Sequence, residues 1–293
     1  MKVSIIMSAY NSSAFISKAI ESVLNQTYKD IELIIINDGS TDNTEEVIQS
    51  FKDDRIKYKK LQKNEGCGAA RDEGIKISTG DYITFLDSDD YYNLDCIEKL
   101  VEEVNKSHTD IVSYGIIYHK LNGDIMESVP NKCTFRITKK DGNNPIKLFS
   151  ESHKFSYFLS LNLINRKLFD RVNYYRVRYV EDTPTFVNLL CVAKSRSHIP
   201  YAGYNYVERK GSLTNSSYEI RDKIYSILGS IYNLEFMYEN NIPIYNIFRG
   251  ALDLSISELF KLISKQDYNK EVPELLITML NKYNRVLKTI HKI

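Results

Sequence analysis

The stretch that decides the fold of this chain is YITFLDSDD, at residues 82–90. Its first five residues form an apolar run without alternating polarity, which is typical of a strand buried on both faces of a parallel sheet. Runs of the same kind lie earlier, at residues 3–7 (VSIIM) and 33–36 (LIII). Strands that alternate with helices predict right-handed βαβ units and an open α/β sheet. Helical patterns do separate and follow these runs, over residues 16–24, 47–51, 69–77 and 94–104.

Beyond this part the pattern changes. Residues 110–215 mix strand-like stretches with a helical one, and from Tyr218 the pattern is helical to the end, interrupted by two prolines. We therefore predict an α/β domain over residues 1–215 and a C-terminal helical region over residues 216–293.

The charge of the chain is nearly balanced overall but not along its length. The net charge of +1 excludes a global field that would recruit nucleic acid or an anionic membrane. Residues 1–100 hold 12 Lys and Arg against 18 Asp and Glu, whereas residues 101–293 hold 27 against 20. An acidic half joined to a basic half raises the question of what binds between them.

The composition is that of a packed globular protein, with 43% hydrophobic and 26% charged residues. Four scattered cysteines lack the paired spacing of a zinc or redox site, which favours free thiols in a reducing cytoplasm. The apolar start at residues 3–7 is too short for a signal peptide, and no run approaches the ~18 apolar residues of a membrane-spanning helix. We therefore expect a cytoplasmic protein whose contact with a membrane is at most peripheral.

Polar clusters follow the predicted strands at the points where the strands end. They are SAYN at 8–11, NDGSTD at 37–42, NEGCGAARD at 64–72 and DSDD at 87–90. Each one alone is typical of a turn or of a helix N-terminus. Together they predict a ligand crevice, because an open α/β sheet binds its ligands at the carboxyl ends of its strands.

Asp87 and Asp89 directly follow the buried strand and place two like charges in this crevice. Such a pair is unfavourable unless a cation neutralises it. Carboxylate ligands without a neighbouring Cys or His favour Mg²⁺ or Mn²⁺ over zinc, and these ions usually complete their coordination with substrate phosphates. Arg71 lies in the same arc and can contact phosphate or screen the carboxylates. The sequence therefore predicts a metal-assisted phosphate site.

Two common nucleotide-binding motifs are excluded. The pair Gly66-x-Gly68 lacks the third glycine of a dinucleotide-binding motif, since Arg71 occupies that position, and the pair does not follow the first strand. The chain also lacks a Walker A sequence, which argues against a P-loop NTPase.

The order and spacing of the four clusters resemble those of the family 2 glycosyltransferases, inverting enzymes with the GT-A fold. The resembling segments are VSIIMSAYN at 3–11, INDGSTD at 36–42, Asn64-x-Gly66-x-x-x-Ala70-Arg71 and DSDD at 87–90. The chain departs from the family pattern at Ala9, where a proline is common, and at Asp72, where an asparagine often follows the arginine. A looser likeness continues through VEDT at 180–183 and YNYVERKGS at 204–212. The second of these resembles a segment of capsule and cell-surface glycan enzymes.

The resemblance implies a glycosyltransferase of the hexosyltransferase type. Such an enzyme would transfer a sugar from a UDP-sugar to a hydroxyl of a glycan or lipid-linked acceptor in cell-surface polysaccharide synthesis. Residues 1–100 would form the nucleotide-binding half and residues 101–215 the acceptor-binding half, with Mn²⁺ or Mg²⁺ as the cofactor. A processive membrane synthase is disfavoured, because the sequence has no spanning run and no Trp for the Gln-x-x-Arg-Trp motif of those enzymes.

The resemblance also implies roles for individual residues. Those expected to bind the nucleotide are Ser8, Tyr10, Asn11, Asp38, Arg71, Asp87 and Ser88. Tyr10 would stack on uracil, and Asp38 would accept a hydrogen bond from uracil N3. Asp89, together with Asp87, would coordinate the metal ion that bridges the diphosphate.

Asp182 would be the general base, because direct displacement at an anomeric carbon needs a carboxylate to take the proton of the acceptor hydroxyl. Further candidates for contacts with the diphosphate or the acceptor are Glu181, Arg209, Lys210 and Ser212. Simpler interpretations stay open for both segments. Glu181 and Asp182 could form a charge pair at a helix N-terminus, and Arg209 and Lys210 a solvated basic turn.

Two other functions also stay open. A nucleotidyltransferase of the same fold would make sugar nucleotides, but its glycine-rich, basic N-terminal loop is missing here. A sugar-nucleotide-binding scaffold without glycosyl transfer is disfavoured by the intact Asp87-x-Asp89 pair and by Asp182.

The C-terminal end is basic and amphipathic. Its cations are Lys282, Arg285, Lys288 and Lys292. One interpretation is a helix packed on the domain with its lysines outside. The other is a peripheral contact with the inner face of the cell membrane, which would suit a lipid-linked acceptor.

Overall fold

The structure is a computed structural model that describes residues 1–138, 144–149, 158–177, 181–209, 219–243, 252, 255–257, 259 and 271–290. Within these residues, ten strands form one sheet. The strands are β1 (Val3–Ala9), β2 (Ile31–Asn37), β3 (Ile56–Lys60), β4 (Tyr82–Phe85), β5 (Tyr91–Tyr92), β6 (Ile111–His119), β7 (Ile125–Ser128), β8 (Cys133–Arg136), β9 (Asn162–Asn165) and β10 (Ser195–Val207).

The strands follow the order β3-β2-β1-β4-β9-β6-β10-β5, while β7 pairs with β6 and β8 with β10. β3, β2, β1 and β4 run parallel, and β9 lies antiparallel between β4 and β6. The three predicted apolar runs lie in β1, β2 and β4. Because these strands are parallel, their carboxyl ends and the polar clusters that follow them meet at one edge of the sheet.

Helices cover both faces of the sheet. They are α1 (Ile16–Leu24), α2 (Thr44–Ser50), α3 (Cys67–Ile77), α4 (Cys96–Ser107), α5 (Asp182–Val192), α6 (Glu219–Glu239) and α7 (Glu271–Ile290). β1 shows why its sequence has no alternating polarity. Ile5 and Met7 pack in one core with Ile20 of α1, whereas Ile6 packs in a second core with Ala70 of α3 and Leu189 of α5.

The C-terminal part is helical where it is described. α6 and α7 pack around a core that includes Ile227, Ile231 and Met279. The predicted boundary at residue 215 lies outside the described residues, and the division into two regions stays a prediction. No helix in the described part of the chain is both long enough and apolar enough to cross a membrane.

Two cations of the basic face of α7 form ion pairs with α6. Lys282 Nζ and Arg285 Nη2 lie 3.7 and 3.6 Å from the carboxylate of Glu235 on α6. Lys288 is exposed, and Lys292 lies outside the described residues. Two of the four predicted cations therefore help to hold α7 on α6.

Candidate active site

Hydrogen bonds join the loops that follow β1, β2 and β4. The Asn11 N–H donates to Ser40 Oγ (3.1 Å), and the Thr41 N–H donates to Asn11 Oδ1 (2.9 Å). Asn11 has a φ of 48°, in the left-handed region that asparagine tolerates better than most residues. Ser12 and Ser88 share a hydroxyl–hydroxyl hydrogen bond of 2.7 Å. The fold thus brings together three of the four clusters that the sequence places at strand ends.

Ser8 and Tyr10 lie at the open edge of these loops. Ser8 is half-buried in the last part of β1, and Tyr10 is 45% exposed. An exposed aromatic ring beside a polar crevice can stack on a planar base. The structure leaves the Tyr10 ring accessible, and its contact with uracil stays a prediction.

Asp38 holds the third cluster in place. Its carboxylate is buried and accepts the N–H groups of Glu65 and Gly66, each at 2.8 Å. Gly39 allows this approach: its φ is 68°, and a Cβ there would lie within 3.0 Å of the Lys63 backbone. The sequence predicts that Asp38 accepts a hydrogen bond from uracil. In the structure, both carboxylate oxygens of Asp38 accept hydrogen bonds from the loop, and the contact with uracil stays a prediction.

Arg71 is the cation at the centre of the site. It is only 6% exposed, and its two terminal nitrogens bind different carboxylates. Nη2 donates to Asp87 Oδ1 (2.6 Å), and Nη1 donates to Glu181 Oε1 (2.5 Å). The Cys67 thiol donates to the same Glu181 oxygen (2.9 Å). Arg71 therefore links the loop after β4 to the start of α5, which are far apart in the sequence.

The aspartates after β4 have different surroundings. Burial and the charge of Asp87 raise the pKa of Asp89, and Arg209, whose Nε donates to Asp89 Oδ2, opposes that rise. Asp90 is 2% exposed and accepts the Val207 N–H (2.8 Å). Burial and the charges of Asp87 and Asp89 raise the pKa of Asp90 far above its ordinary range. Three carboxyl groups thus lie close together, and Arg71 and Arg209 are the cations that pair with two of them.

Asp182 begins α5 next to Glu181. Burial raises its pKa from the ordinary 3.8 to about 6, and the charge of Glu181 adds to the rise, whereas Arg71 opposes it. The Thr183 N–H donates to Asp182 Oδ1 (2.8 Å) and keeps the carboxylate oriented. A carboxylate with a pKa near 6 is largely ionised at neutral pH and is still basic enough to accept a proton during a reaction.

Arg209 connects the loop after β4 with the segment between β1 and α1. Besides its bond to Asp89, its guanidinium carbon lies 5.0 Å from the centroid of the Phe15 ring. The predicted partners Lys210 and Ser212 lie outside the described residues.

The sequence prediction did not include three groups of this site. One is the Cys67 thiol on Glu181. Another is Tyr204, whose hydroxyl donates to Asp90 Oδ2 (2.6 Å) and lies 3.2 Å from Asp87 Oδ2. The third is Tyr174, whose buried hydroxyl has no hydrogen-bond partner among the described residues. Burial raises the pKa of Tyr174, with Arg71 opposing and Glu181 adding to the rise, which places the hydroxyl beside their charges. Sequence signals existed for Cys67, which lies in the cluster at 64–72, and for Tyr204, which lies in the segment 204–212.

Asp87 and Asp89 are the residues that could hold a metal ion. Among the described residues, no group of three or more His, Cys, Asp or Glu side chains is arranged to hold one. The two carboxylates offer the oxygen donors that Mg²⁺ and Mn²⁺ prefer, and burial beside Asp87 disfavours the charged form of Asp89, which Arg209 partly offsets. The pair fits an ion that takes its remaining ligands from a diphosphate and water, and metal binding stays a prediction.

Comparisons with known proteins show the family of this chain. The model of the family "Glycosyl transferase family 2" matches residues 4–180. Bacillus subtilis EpsJ, an uncharacterized glycosyltransferase, is 34% identical over 74% of this chain and 64% of its own length, so the chain spans less than two thirds of it. A Haemophilus influenzae glycosyltransferase, also uncharacterized, is 31% identical over 76% of this chain and 85% of its own length.

The fold also matches solved structures. Residues 1–349 of S. aureus TarS, in complex with UDP-GlcNAc, superpose with a TM-score of 0.64 at 20% sequence identity, over 81% of this chain and 72% of that one. At this identity the likeness concerns the fold alone, and it confirms the predicted GT-A architecture, a mostly parallel sheet flanked by helices. Since the family model covers more than half of the chain, this protein belongs to glycosyl transferase family 2.

Proposed function

We propose that this protein transfers a sugar from a UDP-sugar to a hydroxyl group of a glycan or lipid-linked acceptor, with inversion at the anomeric carbon and with the help of Mn²⁺ or Mg²⁺. Membership of the family supplies the reaction class. The observation that carries the proposal is the position of Arg71, which binds Asp87 through one nitrogen and Glu181 through another. A candidate metal ligand and the neighbour of the candidate base thus lie on two sides of one guanidinium.

The candidate base has the acidity that the reaction needs. A pKa of about 6 leaves most of the Asp182 side chain ionised at pH 7 to 8. In the proposed reaction, this carboxylate takes the proton of the acceptor hydroxyl while the new bond to the anomeric carbon forms. The bond from that carbon to the UDP oxygen breaks on the opposite face, which inverts the configuration.

The leaving diphosphate carries negative charge that must be stabilised. Asp87 and Asp89 would hold the divalent cation, which supplies Lewis-acid stabilisation of that charge when it is bound. Arg209 lies within reach of the same region, since it already binds Asp89. Its guanidinium can bind a phosphate group in place of a carboxylate.

A UDP-sugar as donor is supported by the structural neighbours, since the TarS structures contain UDP-GlcNAc and UDP. A role in cell-surface polysaccharide synthesis is supported by the likeness of residues 204–212 to capsule enzymes. A cytoplasmic location with a peripheral membrane contact is proposed for the same reason, because a lipid-linked acceptor would lie at the membrane. Lys288 of α7 is exposed and is the residue through which this contact can be tested.

The experiment that tests the proposal is a hydrolysis screen of UDP-sugars and GDP-sugars, with and without Mn²⁺, using the wild-type chain. We expect slow release of UDP from one UDP-sugar, stimulated by the metal, and a loss of this activity in Asp89→Ala. Calorimetry of UDP binding checks the metal role separately. Tight UDP binding that does not change with Mn²⁺ would remove the role proposed for Asp89, and turnover of GDP-sugars alone would contradict the UDP assignment.

A further inference from the structure

The helix that carries the candidate base is packed directly on α6. Gly229 of α6 lies against Pro184, in the first turn of α5, so closely that a Cβ on Gly229 would fall well inside 3.0 Å of the proline ring. Two helices can approach this closely only where one of them has no side chain at the contact. The first turn of α5 is therefore in contact with the backbone of α6.

A short segment in front of α5, residues 173–177, is held from several sides, and we call it the strap. The Tyr175 N–H donates to Thr185 Oγ1 (3.0 Å), and that hydroxyl donates to the Glu181 carbonyl (2.8 Å). Arg176 lies 3.5 Å from Asp72 of α3. The strap also carries Tyr174, the buried tyrosine beside Arg71. Its position and that of the start of α5 are therefore linked by direct hydrogen bonds.

Tyr232 of α6 is the residue that fastens the strap. Its hydroxyl donates to the Asn173 carbonyl (2.5 Å), and its ring stacks on Tyr175 with the centroids 4.7 Å apart. On the other side, Lys282 of α7 lies 5.7 Å from the centroid of the Tyr232 ring and 3.7 Å from Glu235. Contacts thus run without interruption from α7 through Tyr232 to the strap and to α5.

We propose that α6, through Gly229 and Tyr232, is a positioning element for the candidate base. The C-terminal helices are then part of the catalytic unit rather than an appendage to it. This inference rests on the proposed role of Asp182 as the base. The family model ends at residue 180, before Asp182, Gly229 and Tyr232, so the match to the family says nothing about this support. Arg71 binds Glu181 at the start of α5, and α6 contacts the first turn of the same helix through Gly229 and Pro184.

A role of α6 in positioning the base and a role in folding alone predict different effects on kcat and on UDP binding. The nucleotide-binding loops follow β1, β2 and β4 and are held to one another by their own hydrogen bonds, and the side chain of Arg71 connects them to the start of α5, so a shift of α5 should lower UDP affinity much less than it lowers kcat. A displacement of about 1 Å at a reacting group can lower a rate by about a hundredfold. We therefore expect a loss in kcat without a matching change in the KM of the donor or in the Kd of UDP.

The test uses the full chain with Gly229→Ala, Tyr232→Phe and Tyr232→Ala, and with Tyr238→Ala as a matched control. Tyr238 lies on the same helix, but it packs against the core between α6 and α7. In an unobstructed helix, Gly→Ala would add about 1 kcal/mol of stability, so a loss at position 229 reports the contact with Pro184. We expect kcat to fall tenfold to a hundredfold in Gly229→Ala and Tyr232→Ala, to fall about fivefold in Tyr232→Phe, and to stay within twofold in Tyr238→Ala.

Hydrogen exchange of peptides that cover the strap and the first turn of α5 provides a readout that does not depend on turnover. Faster exchange there in Tyr232→Phe, with unchanged exchange in β1 and β2, supports the positioning role even if the wild-type chain proves inactive on every UDP-sugar. Unchanged exchange together with wild-type kcat in Tyr232→Phe would overturn it. If Gly229→Ala does not fold, Tyr232→Phe decides alone. An equal loss of UDP affinity and kcat would also overturn it, because it would indicate general unfolding.

Discussion

Replacing Asp182 by Asn should stabilise this protein while removing its activity. The raised pKa of Asp182 means that the folded chain binds the carboxyl proton more tightly than the unfolded chain does. Above pH 6 the group is ionised in both states, so the full difference opposes folding. The difference between 3.8 and about 6, at about 1.36 kcal/mol for each pH unit, corresponds to about 3 kcal/mol.

The sign and the pH window follow from these two values. As pH falls from 6 toward 3.8, the folded state takes up the proton first and the destabilisation declines; below 3.8 it disappears. The asparagine side chain of the variant cannot ionise, and it keeps an oxygen that can accept the Thr183 N–H. The gain in the free energy of unfolding should therefore be about 3 kcal/mol at pH 8 and about half of that at pH 5.

Urea unfolding of the wild type and Asp182→Asn at pH 8 and pH 5 measures this gain. Asp54→Asn is the matched control, because it makes the same chemical change at an exposed position and should alter stability by less than about 0.5 kcal/mol. A gain below about 1 kcal/mol at pH 8, or one of equal size at both pH values, would refute the reasoning, because the burial of Asp182 would then not oppose its ionisation. Wild-type transfer by the variant would refute the assignment of the base.

Four further results are expected. In Glu181→Gln, the acid limb of the kcat profile should move below pH 6, because the charge of Glu181 raises the pKa of Asp182; a limb that stays in place or moves upward contradicts the pairing. In Tyr174→Phe, the free energy of unfolding should be equal or higher, because the change removes a buried hydroxyl that has no partner among the described residues. A simultaneous fall in kcat in steady-state assays would mean that substrate or water binds this hydroxyl. In Asp38→Ala, calorimetry should show weaker UDP binding. Urea unfolding should show that the free energy of unfolding falls by about 2 to 4 kcal/mol, because two N–H groups lose a charged acceptor. Unchanged values would show that the loop is held by other contacts. If α7 touches a membrane, the fraction of protein that floats with anionic liposomes should be lower in Lys288→Glu than in the control variant Glu274→Gln. Equal fractions would favour the interpretation of α7 as a packed helix.

Much of the nucleotide side of the site was predictable from local sequence. An apolar run of four or five residues with no alternating polarity specifies a buried parallel strand, and the polar residues that follow it must then lie at the carboxyl edge of the sheet. Asn11, Asp38, Asp87 and Asp89 reach that edge for this reason. Their partners were less predictable. In the structure, Asp38 accepts hydrogen bonds from the backbone of a loop and Asp89 accepts one from Arg209, because side-chain pairing depends on which loops face one another.

Tyrosines 174, 204 and 232 illustrate what local patterns cannot show. Tyr174 and Tyr232 look like any other aromatic residue of a core or a surface, and the segment that contains Tyr204 does not show what its hydroxyl binds. Their hydroxyls acquire separate functions because the chain brings Asp90 to Tyr204, Arg71 to Tyr174 and the Asn173 carbonyl to Tyr232. Such contacts join segments far apart in the sequence, and no spacing rule relates them.

The sequence by itself therefore determined the class of sheet, the edge where ligands bind and the types of residue at that edge, because strand periodicity and turn chemistry are local properties. Only the tertiary structure decided that Arg71 binds both Asp87 and Glu181, the latter 110 residues away from it, that Asp182 has a pKa of about 6, and that α6 contacts the helix that carries it. The physical reason is that burial and charge pairing depend on the packing of α3, α5 and α6 in three dimensions. A carboxylate in a sequence has its ordinary pKa until the fold removes water from it.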